Sequence, residues 1–185
     1  MRAASVVGRS GAAGVGARLG LCALVLLLSL GAGKRGGAQT PGQRTPAIGP
    51  YRLNAEVSAL AGLHQMTVRE VDDMRPPMRF EGERYYRAPA VDFAGIPWDL
   101  IVAAVNDKLF KISGLYTPPG DDLDVRWRQL GAAVQRALGP PKVFQDGAVL
   151  LSDMADGNLV LHREKGGFVT MLLLSWTTQT LTRTK

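Results

Sequence analysis

One cysteine and two histidines are all that this chain of 185 residues holds of the side chains that most often serve as nucleophiles, bases and soft metal ligands. The cysteine, Cys22, lies inside an apolar N-terminal run, so the rest of the chain carries no thiol. That excludes a disulfide framework, a cysteine nucleophile and a cysteine-ligated zinc site from everything after residue 38. His64 and His162 are far apart in sequence, with no metal-protease spacing. Ser113, Ser152 and Ser175 fall in strand-like runs rather than in a glycine-flanked nucleophile turn, which leaves a catalytic triad without a serine. His162 reads as a partly exposed structural residue. Phosphate loops and dinucleotide fingerprints are missing as well.

An excess of one charge is also missing, although the totals suggest otherwise. The chain has 22 basic and 16 acidic residues and a net charge of +6. Arg2, Arg9, Arg18, Lys34 and Arg35 precede Gln39 with no acid among them, leaving 17 against 16 and a net +1 for the remainder. The basicity belongs to the leader, so nucleic acid is not an expected partner.

What is present begins with that leader. After three arginines, the uncharged run from Leu19 to Leu30 has about the length of a signal-peptide apolar region and falls short of a comfortable bilayer span. Residues 1–38 read as an export signal with cleavage before Gln39, and the protein as periplasmic or extracellular, with no membrane contact after cleavage. An uncleaved N-terminal anchor is the alternative. Leu21 before Cys22, inside the run, does not fit a lipoprotein signal. Residues 39–50, rich in Thr, Pro, Gly and Gln, read as a flexible linker, and 51–185 as one domain long enough for a core of its own.

Within that domain, Trp98 to Val105, the turn Asn106-Asp107 and Lys108 to Tyr116 predict a hairpin, its first strand central because both faces are apolar. Alternation places Phe110, Ile112 and Tyr116 on one face and Lys111 and Ser113 on the other. Leu123, Trp127, Leu130, Val134 and Leu138 then recur at helical spacing, bounded by Asp121 or Asp122 and by Gly139-Pro140-Pro141. Asn54 is expected to cap a short helix with Val57, Leu60, Ala61 and Leu63 on its inner face. Residues 66–78 receive no assignment. Phe80 to Arg87 reads as an exposed strand and Val91 to Ile96 continues it, with Gly95 and Pro97 marking a bend or bulge. Strands over 143–145, 148–152, 159–162 and 168–176, with turns at Asp146-Gly147, Asp156-Gly157-Asn158 and Lys165-Gly166-Gly167, predict a meander. The fold class is α+β: a twisted antiparallel sheet with one long and one short helix packed on one face, and a faint repetition of helix-then-strands between halves.

Candidate chemistry is thin. Asp121, Asp122 and Asp124 form an acidic cluster that could hold calcium, and Asp153, Asp156 and Asn158 could line an oxygen-ligand loop. Helix capping and turn formation account for both without a ligand. Trp98, Trp127 and Trp176 fit a shared core as well as a pocket. Arg79, Arg84, Tyr85, Tyr86 and Arg87, interleaved with Glu81 and Glu83, are the best candidates for contact with an envelope protein or peptide. No cofactor and no metal is implied.

The pattern Phe93-Ala94-Gly95-Ile96-Pro97-Trp98, then Lys108 to Ile112, then Leu130 to Pro141 and a strand meander, resembles one found in small secreted bacterial α+β proteins of unknown function. The weight of alanine, arginine and glycine fits such a source. The resemblance is structural and implies no activity. The expected function is a non-enzymatic protein- or peptide-binding module acting through a sheet face or edge. The alternative is a carboxylate-based hydrolase or carbohydrate-active enzyme using Asp121, Asp153 and Asp156, which requires two of those acids in one cleft.

Overall fold

The computed structural model describes residues 47–76, 79–120 and 122–176. The expected signal peptide, the linker up to residue 46 and Asp121 lie outside the described residues. The strands are β1 (His64–Gln65), β2 (Arg84–Phe93), β3 (Ile96–Val105), β4 (Lys108–Tyr116), β5 (Lys142–Phe144), β6 (Val149–Asp153), β7 (Gly157–Glu164) and β8 (Phe168–Ser175). The helices are α1 (Val68–Met74) and α2 (Leu123–Leu138). One antiparallel sheet holds all eight strands in the order β1-β2-β3-β4-β8-β7-β6-β5. It is therefore two meanders, β1–β4 and β5–β8, joined where β4 pairs with β8.

Local chemistry explains most of these elements. The β3–β4 hairpin turns on Asn106 and Asp107, both with positive φ (50° and 63°), the conformation a two-residue turn needs to match the strands' twist. β3 is buried on both sides over Val102–Val105, as its apolar run predicts. The β2–β3 connection is a second tight turn, at Ala94-Gly95, and Pro97 sits within β3; the irregularity of β2 falls instead between Ala88 and Val91. A further bulge, between Ala103 and Ala104, leaves Phe110 an extra residue on β4. Phe110 thus packs with Tyr85 and Ala103 on the side of Lys111, not with Ile112 and Tyr116 as strict alternation requires.

α2 closes at Gly139, whose φ of 84° suits a residue without Cβ. Its inner face, Leu130, Val134 and Leu138 with Leu123 and Trp127 half-buried, docks on a cluster that includes Tyr86, Trp98, Leu100 and Ile112. The segment carrying Ile48, Tyr51 and Leu53 joins the same cluster. Burial of the three inner residues contributes about 6 kcal/mol before chain entropy is subtracted. α1 does otherwise: Val71 and Met74 pack with Tyr85, Ala103 and Phe110. Tyr85 and Tyr86 are consecutive in β2 and point to opposite sides. The helix of 16 residues and the one of 7 therefore cover opposite faces, while Val57, Leu60 and Leu63 of the segment expected as the short helix pack on the side of α2.

The short helix expected after Asn54 is one 3-10 turn, Val57–Ala59, flanked by Glu56. Asn54 adopts φ 66° and gives its N–H to the Leu109 carbonyl at 2.6 Å, while Leu109 N–H reaches Ala55 and Val57 N–H reaches Asp107. The segment bonds beside the start of β4, a stretch beyond the reach of β8, whose pairing stops at Lys111. Backbone pairing there outcompetes helix formation. The turn expected at Asp156-Gly157-Asn158 also shifts, since Gly157 and Asn158 already belong to β7.

Candidate functional site

The five residues singled out around β2 do not form one surface. Arg79, Arg84 and Arg87 are exposed, whereas Tyr85 and Tyr86 are buried on opposite faces. Arg79 pairs with Asp72 at 2.8 Å and Arg87 with Glu70 at 3.5 Å, both on α1. These are solvent-screened pairs that hold the short helix to the sheet.

Beneath them lies a buried polar network. Lys111 Nζ donates to Glu83 Oε1 at 2.9 Å and to Tyr85 Oη at 2.8 Å, and it stands 4.5 Å from the centre of the Tyr85 ring. The second Glu83 oxygen accepts Phe80 N–H at 2.9 Å. Burial pushes the Tyr85 phenol far above the ordinary tyrosine range, and the hydrogen bond and charge of Glu83 push the same way. Burial also lowers the Lys111 ammonium, against the opposing pull of Glu83. The two effects have opposite signs. Between the lowered folded value and about pH 10.4 the unfolded chain keeps the lysine proton that the folded chain releases, so stability rises with pH across that window. Above about pH 10 the unfolded chain loses the tyrosine proton and the folded chain keeps it, so stability falls. Tyr85→Phe should therefore flatten the alkaline limb of a melting-temperature profile; an unchanged slope would show that this phenol does not control it.

Of the carboxylates of the enzyme alternative, Asp153 and Asp156 flank one turn, and Asp121 lies outside the described residues. Asp153 closes a 2.6 Å pair with Lys142, and Asp156 lies in the β6–β7 loop. Gly120 and Asp122, the described neighbours of Asp121, follow the Tyr116 end of β4, and Asp124 pairs with Arg163 near the far end of β7. The 8 residues of β7 separate those two ends of the sheet by about 25 Å. The serines fare similarly. Ser175 Oγ bonds Asn54 Oδ1, while Ser152 is buried beside Leu159 on the side opposite His162. Its Oγ finds no partner among the described residues, at a cost of about 1–3 kcal/mol. His162 Nδ1 lies 2.8 Å from Glu164. Trp98 is in the core, Trp127 Nε1 bonds the Gly147 carbonyl, and Trp176 Nε1 bonds the Met154 carbonyl at the surface, so the three tryptophans share no pocket. Among the described residues no group of His, Cys, Asp or Glu could hold a metal ion, and no helix is long and apolar enough to cross a membrane.

Sequence reasoning missed the free edge of the second meander. β5 ends the sheet order, so one side of its backbone pairs with β6 and the other pairs with no described strand. Its Val143 is 58% exposed and Phe144 37% exposed, on opposite sides of the strand. The sequence signal was a pair of apolar residues one position beyond Pro140-Pro141, too short to distinguish an edge from an interior strand. Comparison with protein-family models, curated proteins and solved structures finds no match.

Proposed function

We propose that the protein is an exported, non-enzymatic binding domain that takes an extended segment of a protein or peptide along the free side of β5. The carrying observation is that edge itself: backbone that pairs with no described strand, flanked above and below by exposed Val143 and Phe144. Backbone pairing supplies affinity in strand addition, and alternate side chains supply selectivity. The partner fitting this edge is an envelope protein or peptide in extended conformation with alternating apolar residues. The leader read from the sequence supports export; if the leader stays attached, the same edge is presented by a tethered domain. The hydrolase reading is weaker: of its carboxylates Asp153 and Asp156 lie at one end of the sheet, but Asp153 is engaged in its 2.6 Å pair with Lys142.

The test is titration with short unstructured peptides in which valine or phenylalanine alternates with lysine, followed by backbone amide shifts. Shifts centred on residues 142–145 are expected. The pair Val143→Lys and Phe144→Glu should abolish them while changing stability by no more than about 0.5 kcal/mol, since both sites are exposed. Shifts elsewhere, or none, would defeat the proposal.

A further inference from the structure

The ladder beside β5 fixes which of its backbone groups face outward. Arg163 N–H reaches the Ala148 carbonyl and Met154 N–H the Gly157 carbonyl, both at 2.8 Å and both in the β6–β7 register. Alternate residues of an antiparallel strand turn their backbone groups to opposite neighbours. Ala148, Leu150, Ser152 and Met154 therefore bond toward β7, while Val149 and Leu151 bond toward β5. Opposite those two stand Phe144 and Lys142, whose N–H and carbonyl groups are engaged by β6. The planar trans peptide points the adjoining groups the other way. The free side accordingly presents the Pro141 carbonyl, the Val143 N–H and carbonyl, and the Gln145 N–H. Two groups are missing from that row. Proline has no N–H at position 141, and the Gln145 carbonyl already accepts Ala148 N–H at 3.0 Å.

We propose that a second copy of this chain occupies the edge, β5 against β5, antiparallel about a two-fold axis at Val143. In that pairing Val143 exchanges both bonds with Val143 of the second copy, and each Gln145 N–H meets a Pro141 carbonyl. The missing proline N–H then lies opposite the carbonyl that Ala148 has already satisfied. An arbitrary peptide strand instead leaves a carbonyl without a donor opposite Pro141. The side chains match as well. Lys142 and Phe144 share the side of Leu151 and Val149, and the two-fold sets each Lys142 opposite a Phe144 in the closer, non-hydrogen-bonded kind of pair. An ammonium held at 2.6 Å by Asp153 thus comes beside an aromatic ring that is 37% exposed in the single chain. On the other side Val143, the more exposed of the two apolar residues, packs on its own copy. A contact of this symmetry closes on itself and stops at two chains. Built on a strand of three residues it is small, so the association is weak and reversible. It goes beyond the binding reading of the same edge: pairing closes the edge at high protein concentration, and dilution opens it to an extended peptide.

Cysteines placed in the full chain, in a Cys22→Ser background, test the register. Lys142→Cys in one chain and Phe144→Cys in another come within about 5 Å between Cα atoms, inside disulfide range, whereas like positions stand about 8 Å apart, outside it. An equimolar mixture under mild oxidation should form linked dimers at least about tenfold faster than either variant alone. Val143→Pro removes only an outward N–H, which an edge strand accepts, so β5 should stay paired with β6. Sedimentation of that variant should show a monomer at concentrations where the native chain shows a dimer. Equal linking in the mixture and in the separate variants overturns the proposal. So does linking in none of them, or association that survives Val143→Pro and hence belongs to another surface. The two readings of the edge fail separately. A chain that dimerises in this register yet ignores the alternating peptides defeats the binding reading alone, and a chain that binds them while staying monomeric at every concentration overturns only the pairing.

Discussion

Lys111→Met is expected to lower the stability of the domain by about 3–5 kcal/mol, although methionine matches the lysine stem in length. The loss arises in what is left behind. Glu83 has a side chain 1% exposed and, among the described residues, takes its cation from Lys111 at 2.9 Å. Without that ammonium, a carboxylate is buried among Phe80, Tyr85 and Phe110 with the Phe80 N–H and the Tyr85 phenol but no cation beside it. Tyr85 Oη loses its donor in the same step. The double variant Lys111→Met with Glu83→Gln should recover most of the loss, because glutamine can still accept from Phe80 N–H and carries no charge to strand. Urea unfolding of the two single variants and the double variant gives the coupling directly. A single variant that costs under about 1 kcal/mol would show that the pair is solvated and does not anchor the 79–83 turn to β4.

That network also shows where the sequence is readable. Period-2 alternation put Lys111 and Ser113 on one side of β4 and Ile112 and Tyr116 on the other, as found. Phe110 escaped because a bulge reverses the alternation, and a bulge leaves no mark in hydrophobic pattern alone. The α2 stripe, its Gly139 stop and the strands of the second meander follow from spacing and turn chemistry that act locally, and they match the structure closely. α1 received no assignment, although Thr67 and Glu70 carry a start signal for it. Glu70 N–H bonds the Thr67 hydroxyl and Thr67 N–H bonds the Glu70 carboxylate at 2.8 Å, a reciprocal cap that starts a helix of only 7 residues. The many charges of that segment obscured it.

The sidedness of the helices was not readable, because each amphipathic stripe says that it must be covered and not by which face of a sheet. The candidate contact residues failed to assemble for a related reason. Tyr85 and Tyr86 stand among charges in sequence, yet Arg79 and Arg87 are drawn aside to Asp72 and Glu70, which leaves both rings to the two cores. The β5 edge is a property of sheet order, fixed by the return of β8 to β4, and no window of local sequence contains it.

Gly157→Ala is expected to destabilise the domain by about 3 kcal/mol or more, and Gly131→Ala to stabilise it by about 0.5–1 kcal/mol. The same methyl group is added in both. At Gly157, which the sequence offers as a turn residue, a Cβ would overlap the Leu174 carbonyl oxygen and come within 2.8 Å of Leu53 Cδ1. The oxygen cannot withdraw, because Leu174 is held in register by Asn158 on one side and Lys111 on the other. Glycine is required there for close approach of two backbones rather than for a left-handed turn. At Gly131, within α2, a Cβ meets only Leu150 Cδ1 at 3.5 Å, an ordinary contact, and the helix gains the lower backbone entropy of alanine. Adding Leu53→Ala to Gly157→Ala should restore little, since the hard contact is with backbone. Denaturant midpoints of the three variants decide the matter: a tolerated Gly157→Ala, or rescue by Leu53→Ala, would mean that β7 and β8 do not pair as closely at this end as the register from Gly157 to Glu164 requires.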